Sequence, residues 1–232
     1  MSHGRHAAKP EVDAIKVIAD DLNQPLFAIT ANTDAISRML AREAPDLGEV
    51  RAALADITSD AQRVSRMIGT LQRLLAAARE PPADIDVREL VDECVVEMRT
   101  EMFAQRVSCE VQTAPHLPGI RGIRRQLVQM LVNLVTNSLE AMSSVPARER
   151  RLALRALLHD PRTIEISVED SGVGIAPEDA PRVFDPYFTT KPHRSGLGLA
   201  ICRNIIDAHG GAISVARAQG CGAAVRVLLP AR

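Results

Sequence analysis

The chain has 232 residues, of which 46% are hydrophobic and 25% charged, and its formal net charge is −1. The apolar content is sufficient for a core and excludes a disordered chain, while the near-zero net charge excludes a broadly basic nucleic-acid-binding protein. Only 2% of the residues are aromatic, so we expect an aliphatic core and no stacking surface for nucleic acid bases.

The chain shows no pattern of a membrane segment or of a disulfide framework. No apolar run approaches the roughly 18 residues that suggest a membrane span, and the polar residues 1–10 are unlike a signal peptide. The four cysteines form no CxxC pair, which favours buried free thiols over disulfides or a zinc site. We therefore expect a cytoplasmic protein that carries no membrane anchor of its own.

Residues 11–80 predict a helical hairpin. Apolar residues recur at intervals of three and four over 11–42 and again over 50–78, with a short loop between the two runs. Pro25 lies inside the first run and predicts a kink. A single hairpin would leave half of each apolar stripe in water, so we expect a homodimer in which two hairpins form a four-helix bundle.

The pattern changes to mixed helix and strand after a short stiff linker at Pro81 and Pro82. Interleaved strands and helices over 83–232 favour an α/β sandwich, so the predicted fold class is α+β, with a polar tail, a helical hairpin and this domain in order. The spacing predicts helices over 87–103, 123–145 and 197–209, and strands over 106–112, 151–158, 163–169, 211–216 and 223–229.

Three polar residues share one face of the apolar helix predicted over 123–145. Asn133, Asn137 and Glu140 follow one another at spacings of four and three. Polar side chains in an apolar helix need partners, because burial without a hydrogen bond costs a few kcal/mol. Two interpretations stay open, namely a helix face that bonds to neighbouring loops, or an amide oxygen offered to a hard cation that bridges phosphates.

The segment from Asp170 to Gly174 directly follows a predicted strand. A carboxylate at a strand end suits recognition of an exocyclic amine. Gly172 and Gly174, which follow it, would allow the backbone to approach a flat ligand closely. An Asp-x-Gly-x-Gly string is by itself more typical of a turn. Both interpretations stay open at this point.

Residues 183–191 and 195–198 form the third and fourth segments. The third is an apolar cluster that ends in Lys191, and on its own it predicts only a packed loop. In the fourth, Ser195, Gly196, Leu197 and Gly198 open a predicted helix. Backbone N–H groups at a helix N-terminus form a site for an anion such as phosphate. Lys191 is expected to reach a phosphate bound at this site.

In this order, the four segments resemble the N, G1, F and G2 boxes of the ATP-binding domain of sensor histidine kinases, within the GHKL ATPase superfamily. Residues 207–211 and 220–230 are also similar to that family. The segment 22–26, Leu-Asn-Gln-Pro-Leu, resembles the sequence around the family's phosphoacceptor. The resemblance runs from about Val12 to the end of the chain and implies a dimeric four-helix bundle followed by a GHKL-type sandwich.

The resemblance implies ATP and Mg²⁺ as cofactors. Asn137 would ligate Mg²⁺, and Asp170 would receive the adenine amino group. Asn133 stands where hydrolytic members carry a Glu that activates water, and because an amide cannot act as that base, net hydrolysis is expected to be slow. The full set of implied nucleotide-binding residues is Asn133, Asn137, Asp170, Gly172, Gly174, Lys191, Ser195, Gly196, Leu197 and Gly198.

The sequence departs from the family at the phosphoacceptor. The family's His lies two residues before Leu22, and here that position holds Asp20, followed by Asp21. No His occurs elsewhere in the predicted hairpin, which argues against autophosphorylation. The resemblance also implies that Gly196 and Gly198 shape a lid over the phosphates. A second departure is Arg194, which stands where this lid motif usually begins with Gly.

The predicted function is that of a two-component signalling protein of histidine-kinase type, in an ATP-dependent phosphotransferase family. Its expected partners are a response-regulator receiver domain, a second copy of the chain and a separate sensor protein. Two alternatives stay open, a receiver phosphatase or a non-catalytic, nucleotide-gated interaction module. In the phosphatase, an acid and an amide one turn apart would act on the receiver's acyl phosphate. The candidate catalytic residues are Asp20, Asp21 and Gln24.

Overall fold

A computed structural model describes residues 9–42, 45–77, 80–186, 188–191, 196–218 and 222–232. The chain divides into two compact units. The first comprises Met1–Ala78 and Thr189–Ser195, and the second comprises Arg79–Phe188 and Gly196–Arg232. The first contains the predicted hairpin and the second the predicted sandwich.

Two long helices in contact make up the described part of the hairpin. Helix α1 spans Lys9–Leu40 and helix α2 spans Leu47–Ala77. The Asp46 carboxylate caps α2, since its Oδ1 accepts backbone N–H bonds from Gly48 at 2.7 Å and Glu49 at 3.2 Å. Helix α1 is assigned without a break through Pro25, whose side chain is buried. The kink there stays a prediction.

The second unit contains a five-stranded sheet and three helices on one of its faces. The sheet order is β2-β4-β5-β7-β6, in which only the β2–β4 pair is parallel. A separate antiparallel pair joins β1 to β3. The elements are β1 (Ala83–Ile85), α3 (Val87–Ala104), β2 (Ser108–Thr113), β3 (Ile120–Gly122), α4 (Arg124–Ala141), β4 (Arg151–Asp160), β5 (Thr163–Asp170), α5 (Gly198–Ala208), β6 (Ala212–Arg217) and β7 (Ala223–Pro230).

The structure corrects two predicted boundaries. The strand predicted from residue 106 begins at Ser108, because Arg106 adopts a left-handed conformation, with φ at 54°, that ends α3. The N–H groups of Arg106 and Val107 bond back to the carbonyls of Phe103 and Met102, as in a Schellman motif. The helix predicted to residue 145 ends at Ala141. The Ala141 carbonyl accepts the N–H of Val173 instead of continuing the helix.

The core lies between the sheet and its helices and is aliphatic, as predicted. Side chains of β5 alternate strictly between buried and half-buried positions, so one face of the strand meets the helices. Among the described residues, Phe184 is the only buried aromatic side chain. Cys94 and Cys202 are buried free thiols and Cys109 is half-buried, whereas Cys221 lies outside the described residues. Among the described residues, no helix is both long enough and apolar enough to cross a membrane.

The first prediction concerns Gly222, which directly precedes β7 and has φ at 116°. A Cβ at this position would overlap the carbonyl oxygen of Asp170. We expect Gly222→Ala to lower the free energy of unfolding by more than about 2 kcal/mol, because strain at positive φ and a backbone clash add. Urea unfolding of the full chain measures it.

Gly198→Ala provides the matched control. A Cβ at Gly198 would lie 3.6 Å from Asn137 Nδ2, which is ordinary van der Waals contact. This variant should remain within about 1 kcal/mol of wild type. Equal stability of the two variants would show that the turn before β7 does not constrain the fold.

Candidate functional site

The C-terminal end of α4 is the point at which the loop after β5 is anchored. The N–H of Val173 donates to the Ala141 carbonyl at 3.2 Å. A Cβ on Gly172 would lie 2.7 Å from the carbonyl carbon and oxygen of the same Ala141. Glycine at 172 is therefore required by the close approach of this loop to α4.

Asp170 is the last residue of β5, and strand alternation turns its side chain towards the helices. The residue is 6% exposed. Its Oδ1 accepts two backbone hydrogen bonds, from the N–H of Gly172 at 2.8 Å and from the N–H of Ala223 at 3.3 Å. These charge-assisted bonds offset the cost of burying the carboxylate and fix its orientation.

Gly174 and Gly222 allow two backbone segments to pack directly on each other. Gly174 has φ at 77°, and a Cβ there would lie 3.1 Å from the Gly222 carbonyl oxygen. The family resemblance implies that Gly172 and Gly174 allow the backbone to approach a nucleotide. The structure shows that both positions already meet protein backbone, so the approach of a nucleotide stays a prediction.

Asn137 lies beside the N-terminus of α5. Its side-chain nitrogen and oxygen are 3.6 and 3.7 Å from the position of a Cβ on Gly198, the first residue of α5. The preceding residue, Leu197, contributes no side-chain cap, and the first turn of α5 contains no acidic residue. An amide oxygen and a helix N-terminus that favours anions therefore lie next to each other.

Asn133 lies one turn earlier on α4 and contacts protein groups. Its Oδ1 accepts a bond from Gln129 Nε2 at 2.8 Å. On α5, the thiol of Cys202 lies 3.6 Å from the Met130 carbonyl and joins α5 to α4. The predicted contact of Asn133 with a nucleotide stays a prediction.

His209 joins the opposite ends of the same two helices and is the C-cap residue of α5. Its Nε2 accepts the N–H of Ile123 at 3.0 Å, which leaves Nδ1 as the donor to the Ile205 carbonyl at 2.7 Å. Gly122 makes room for the ring, because a Cβ there would lie 2.5 Å from the imidazole. His209 thus both caps α5 and accepts a bond from the N-cap residue of α4.

The predicted lid is described only in part. Gly196 has φ at 67° and Leu197 is buried, whereas Ser195 and Arg194 lie outside the described residues. Lys191 belongs to the segment Thr189–Ser195 of the first unit, where its N–H donates to Thr189 Oγ1 at 3.1 Å. Its predicted contact with phosphates stays a prediction.

The apolar cluster of the third segment is packed around Phe184. Val183 and Phe184 are buried, and the guanidinium of Arg203 on α5 lies 5.9 Å from the centre of the Phe184 ring. The guanidinium of Arg182 lies 4.7 Å from the Phe188 ring. Burial in this segment is thus limited to Val183 and Phe184 among its described residues, and Tyr187 lies outside the described residues.

The candidate catalytic residues lie on α1. Asp20 and Gln24 are one turn apart along the helix, and Gln24 is exposed. The side chains of Asp20 and Asp21 lie outside the described residues, so the roles of all three residues stay predictions.

Residues 122–232 match a family model described as histidine kinase-, DNA gyrase B- and HSP90-like ATPase. The sensor histidine kinase TmoS of Ectopseudomonas mendocina is 34% identical over 214 residues, which cover 92% of this chain and 22% of TmoS. The chain therefore spans about a fifth of the length of that relative.

Two solved structures are similar in sequence or in fold. The mycobacterial sensor histidine kinase MprB is 30% identical with a TM-score of 0.57, over 66% of this chain and 98% of that one. Histidine kinase ThkA, in complex with response regulator protein TrrA, shares the fold at 24% identity with a TM-score of 0.66, over 93% of this chain and 60% of that one. The chain belongs to the histidine kinase family and carries an ATPase domain of the GHKL type.

The second prediction concerns the Cys202 thiol, because burial raises its pKa to about 12. An unfolded thiol ionises near pH 8.5. The folded thiol thus stays protonated where the unfolded one does not, and its contribution to stability, complete below about pH 8.5, is lost as the pH rises towards 12.

Stability of the wild type should therefore fall with pH above 9, with a contribution from this thiol of up to about 1.4 kcal/mol per pH unit. Cys202→Ala should show a shallower fall. Urea unfolding at pH 7.5, 9 and 10 measures both, and parallel curves would contradict the burial of this thiol.

Proposed function

We propose that the second unit binds ATP with Mg²⁺, and that Asn137 and the N-terminus of α5 hold the metal-bound phosphates. The observation that carries the proposal is the position of the Asn137 amide beside Gly198. A helix N-terminus favours phosphate, and an amide oxygen is a ligand suited to Mg²⁺. Mg²⁺ at nucleotide sites commonly uses one or two protein oxygens and completes its shell with phosphate and water, so one asparagine fits this metal.

Asp170 would provide the acceptor for the adenine amino group. Its Oδ1 already accepts the N–H groups of Gly172 and Ala223, which holds the carboxylate in place before a ligand arrives. A site built to accept a hydrogen bond rejects ligands that lack the donor, because its buried polar group would then lose its partner.

Hydrolysis of the bound nucleotide is expected to be slow. Asn133 accepts a hydrogen bond from Gln129, and an amide cannot remove a proton from water. Phosphoryl transfer depends on positioning and charge neutralisation, so it does not need a base at this position.

The third prediction tests the nucleotide site by calorimetry with ADP and Mg²⁺. Asn137→Ala removes the metal ligand, and Asp170→Asn replaces a carboxylate oxygen with an N–H donor of similar shape. Each should weaken binding by about 1–3 kcal/mol, or roughly 5- to 150-fold. Asn137→Ala should also lose most of the difference between affinity with Mg²⁺ and affinity with EDTA.

Matched controls for these variants lie on the exposed side of α5. Asn204 and Asp207 are exposed residues of the same two types, and Asn204→Ala and Asp207→Asn should bind like wild type. Wild-type affinity in both Asn137→Ala and Asp170→Asn would rule out this nucleotide site.

We also propose that the hairpin mediates homodimerisation. In the single chain, several apolar side chains of α1 and α2 remain exposed, so one hairpin does not cover them. These side chains are Leu26, Leu40, Leu47, Leu54 and Ile68.

The fourth prediction uses Leu54→Glu, which places a charge in the apolar stripe of α2. The same stripe contains the buried Val50. Two copies of this change should weaken the dimer at least about 100-fold, because a buried leucine contributes roughly 2 kcal/mol. Analytical ultracentrifugation of the full chain measures it. Phe103→Glu is the control, since Phe103 is 84% exposed on α3, and it should remain dimeric. A wild-type monomer, or equal dimerisation of both variants, would contradict the bundle.

We infer a response-regulator receiver domain as the partner and the cytoplasm as the place of action. The ThkA structure, a complex with a response regulator, supports the choice of partner. With Asp20 at the acceptor position, autophosphorylation is not expected. The exposed Gln24 amide, one turn beyond Asp20, favours receiver phosphatase activity as the second candidate function. If the acyl phosphate of a receiver decays equally fast with and without this protein, phosphatase activity is excluded. The non-catalytic interaction module is then the remaining alternative.

A further inference from the structure

Gly222 and Ala223, at the start of β7, contact the candidate base-binding residue Asp170, which no sequence pattern predicted. Gly222 and Ala223 are both buried. The N–H of Ala223 donates to Asp170 Oδ1, the same oxygen that accepts the N–H of Gly172. One oxygen of the carboxylate is thus held from two sides, by its own loop and by a strand that is distant in sequence.

The geometry at Gly222 makes this contact depend on the absence of side chains. A Cβ at Gly222 would overlap the Asp170 carbonyl oxygen and lie 3.1 Å from the Gly172 nitrogen. A Cβ at Gly174 would lie 3.1 Å from the Gly222 carbonyl oxygen. The two backbones therefore lie at a fixed separation, which brings the Ala223 N–H within reach of Asp170.

Since β7 pairs with β5 through Ala224 and Glu169, the residues adjacent to Ala223 and Asp170 are in register. The bond from the Ala223 N–H to the Asp170 side chain thus follows directly after the last backbone pair of these two strands. A rotation of the Asp170 carboxylate would break both of its N–H bonds. The orientation of the carboxylate is therefore tied to the sheet itself.

We propose that Gly222 and Ala223 are positioning residues that set base selectivity at this site. Their backbone holds Asp170 in the orientation that accepts an exocyclic amine, and so favours adenine over bases that present a carbonyl oxygen at the same place. This inference rests on the proposed nucleotide-binding function and adds a selectivity element that lies outside the four segments.

The test compares ADP with inosine diphosphate, in which a carbonyl oxygen replaces the adenine amine. Wild type should bind ADP at least about tenfold more tightly than inosine diphosphate, since an unmatched acceptor is rejected. Ala223→Pro removes the N–H at the first residue of β7, where proline is tolerated, and the preceding glycine accepts the restriction that proline imposes. ADP affinity should fall about tenfold, whereas affinity for inosine diphosphate should stay within about twofold.

Ala223→Ser is the matched control, because it keeps the N–H and should keep the wild-type preference. Equal losses for both nucleotides in Ala223→Pro would show a purely structural role and overturn the inference, as would a preserved preference. Failure of the wild type to bind either nucleotide would instead overturn the proposed function.

A second measurement does not depend on the folding of Ala223→Pro. In ¹⁵N-labelled wild-type protein, the amide resonances of Ala223 and Gly172 should shift more with saturating ADP than with saturating inosine diphosphate. Equal shifts with the two nucleotides would overturn the inference.

Discussion

The burial of the Asp170 carboxylate constrains the rest of the candidate site. A carboxylate that is 6% exposed needs hydrogen-bond donors from the protein. The structure provides them as the backbone N–H groups of Gly172 and Ala223. These groups reach one oxygen only if two backbone segments pack without side chains between them, which is the arrangement at Gly174 and Gly222.

The same constraint extends to the helices. The loop after Asp170 is anchored to the end of α4 through the bond from Val173 to Ala141. Along α4, Asn133 and Asn137 lie against Cys202 and Gly198 of α5, and His209 joins the other ends of the two helices. The residues proposed to accept a base, to ligate a metal and to bind phosphate are thereby supported by one connected set of contacts.

Much of the fold followed from the sequence because its elements are long and regular. Strand β5 and helix α4 are long enough for the alternation of the strand and the helical spacing of the helix to be distinct. Strands β1 and β3 have three residues each, too few to show alternation, and no strand was predicted there. The start of β2 was predicted two residues too early, because the chain first passes through a left-handed Arg106, a conformation that the residue type does not favour.

Candidate site residues could be predicted where side chains carry the proposed chemistry, and could not where backbone groups carry it. Asp170 and Asn137 could be selected because a carboxylate and an amide in apolar surroundings require an explanation. Ala223 could not, since its contribution is a single N–H group whose direction depends on the pairing of β5 and β7. The glycine before the strand was the one local signal of a close backbone approach.

We propose that the second unit of this histidine kinase family member binds and uses ATP, although Asp20 stands where the family resemblance predicts the phosphoacceptor His. The most direct measurement follows label from γ-³²P-ATP into the full chain. We expect no stable label on the wild type, label on Asp20→His, and none on Asp20→His combined with Asn137→Ala. Acid-labile label on the wild type, or an unlabelled Asp20→His variant that is folded and binds ATP, would contradict it.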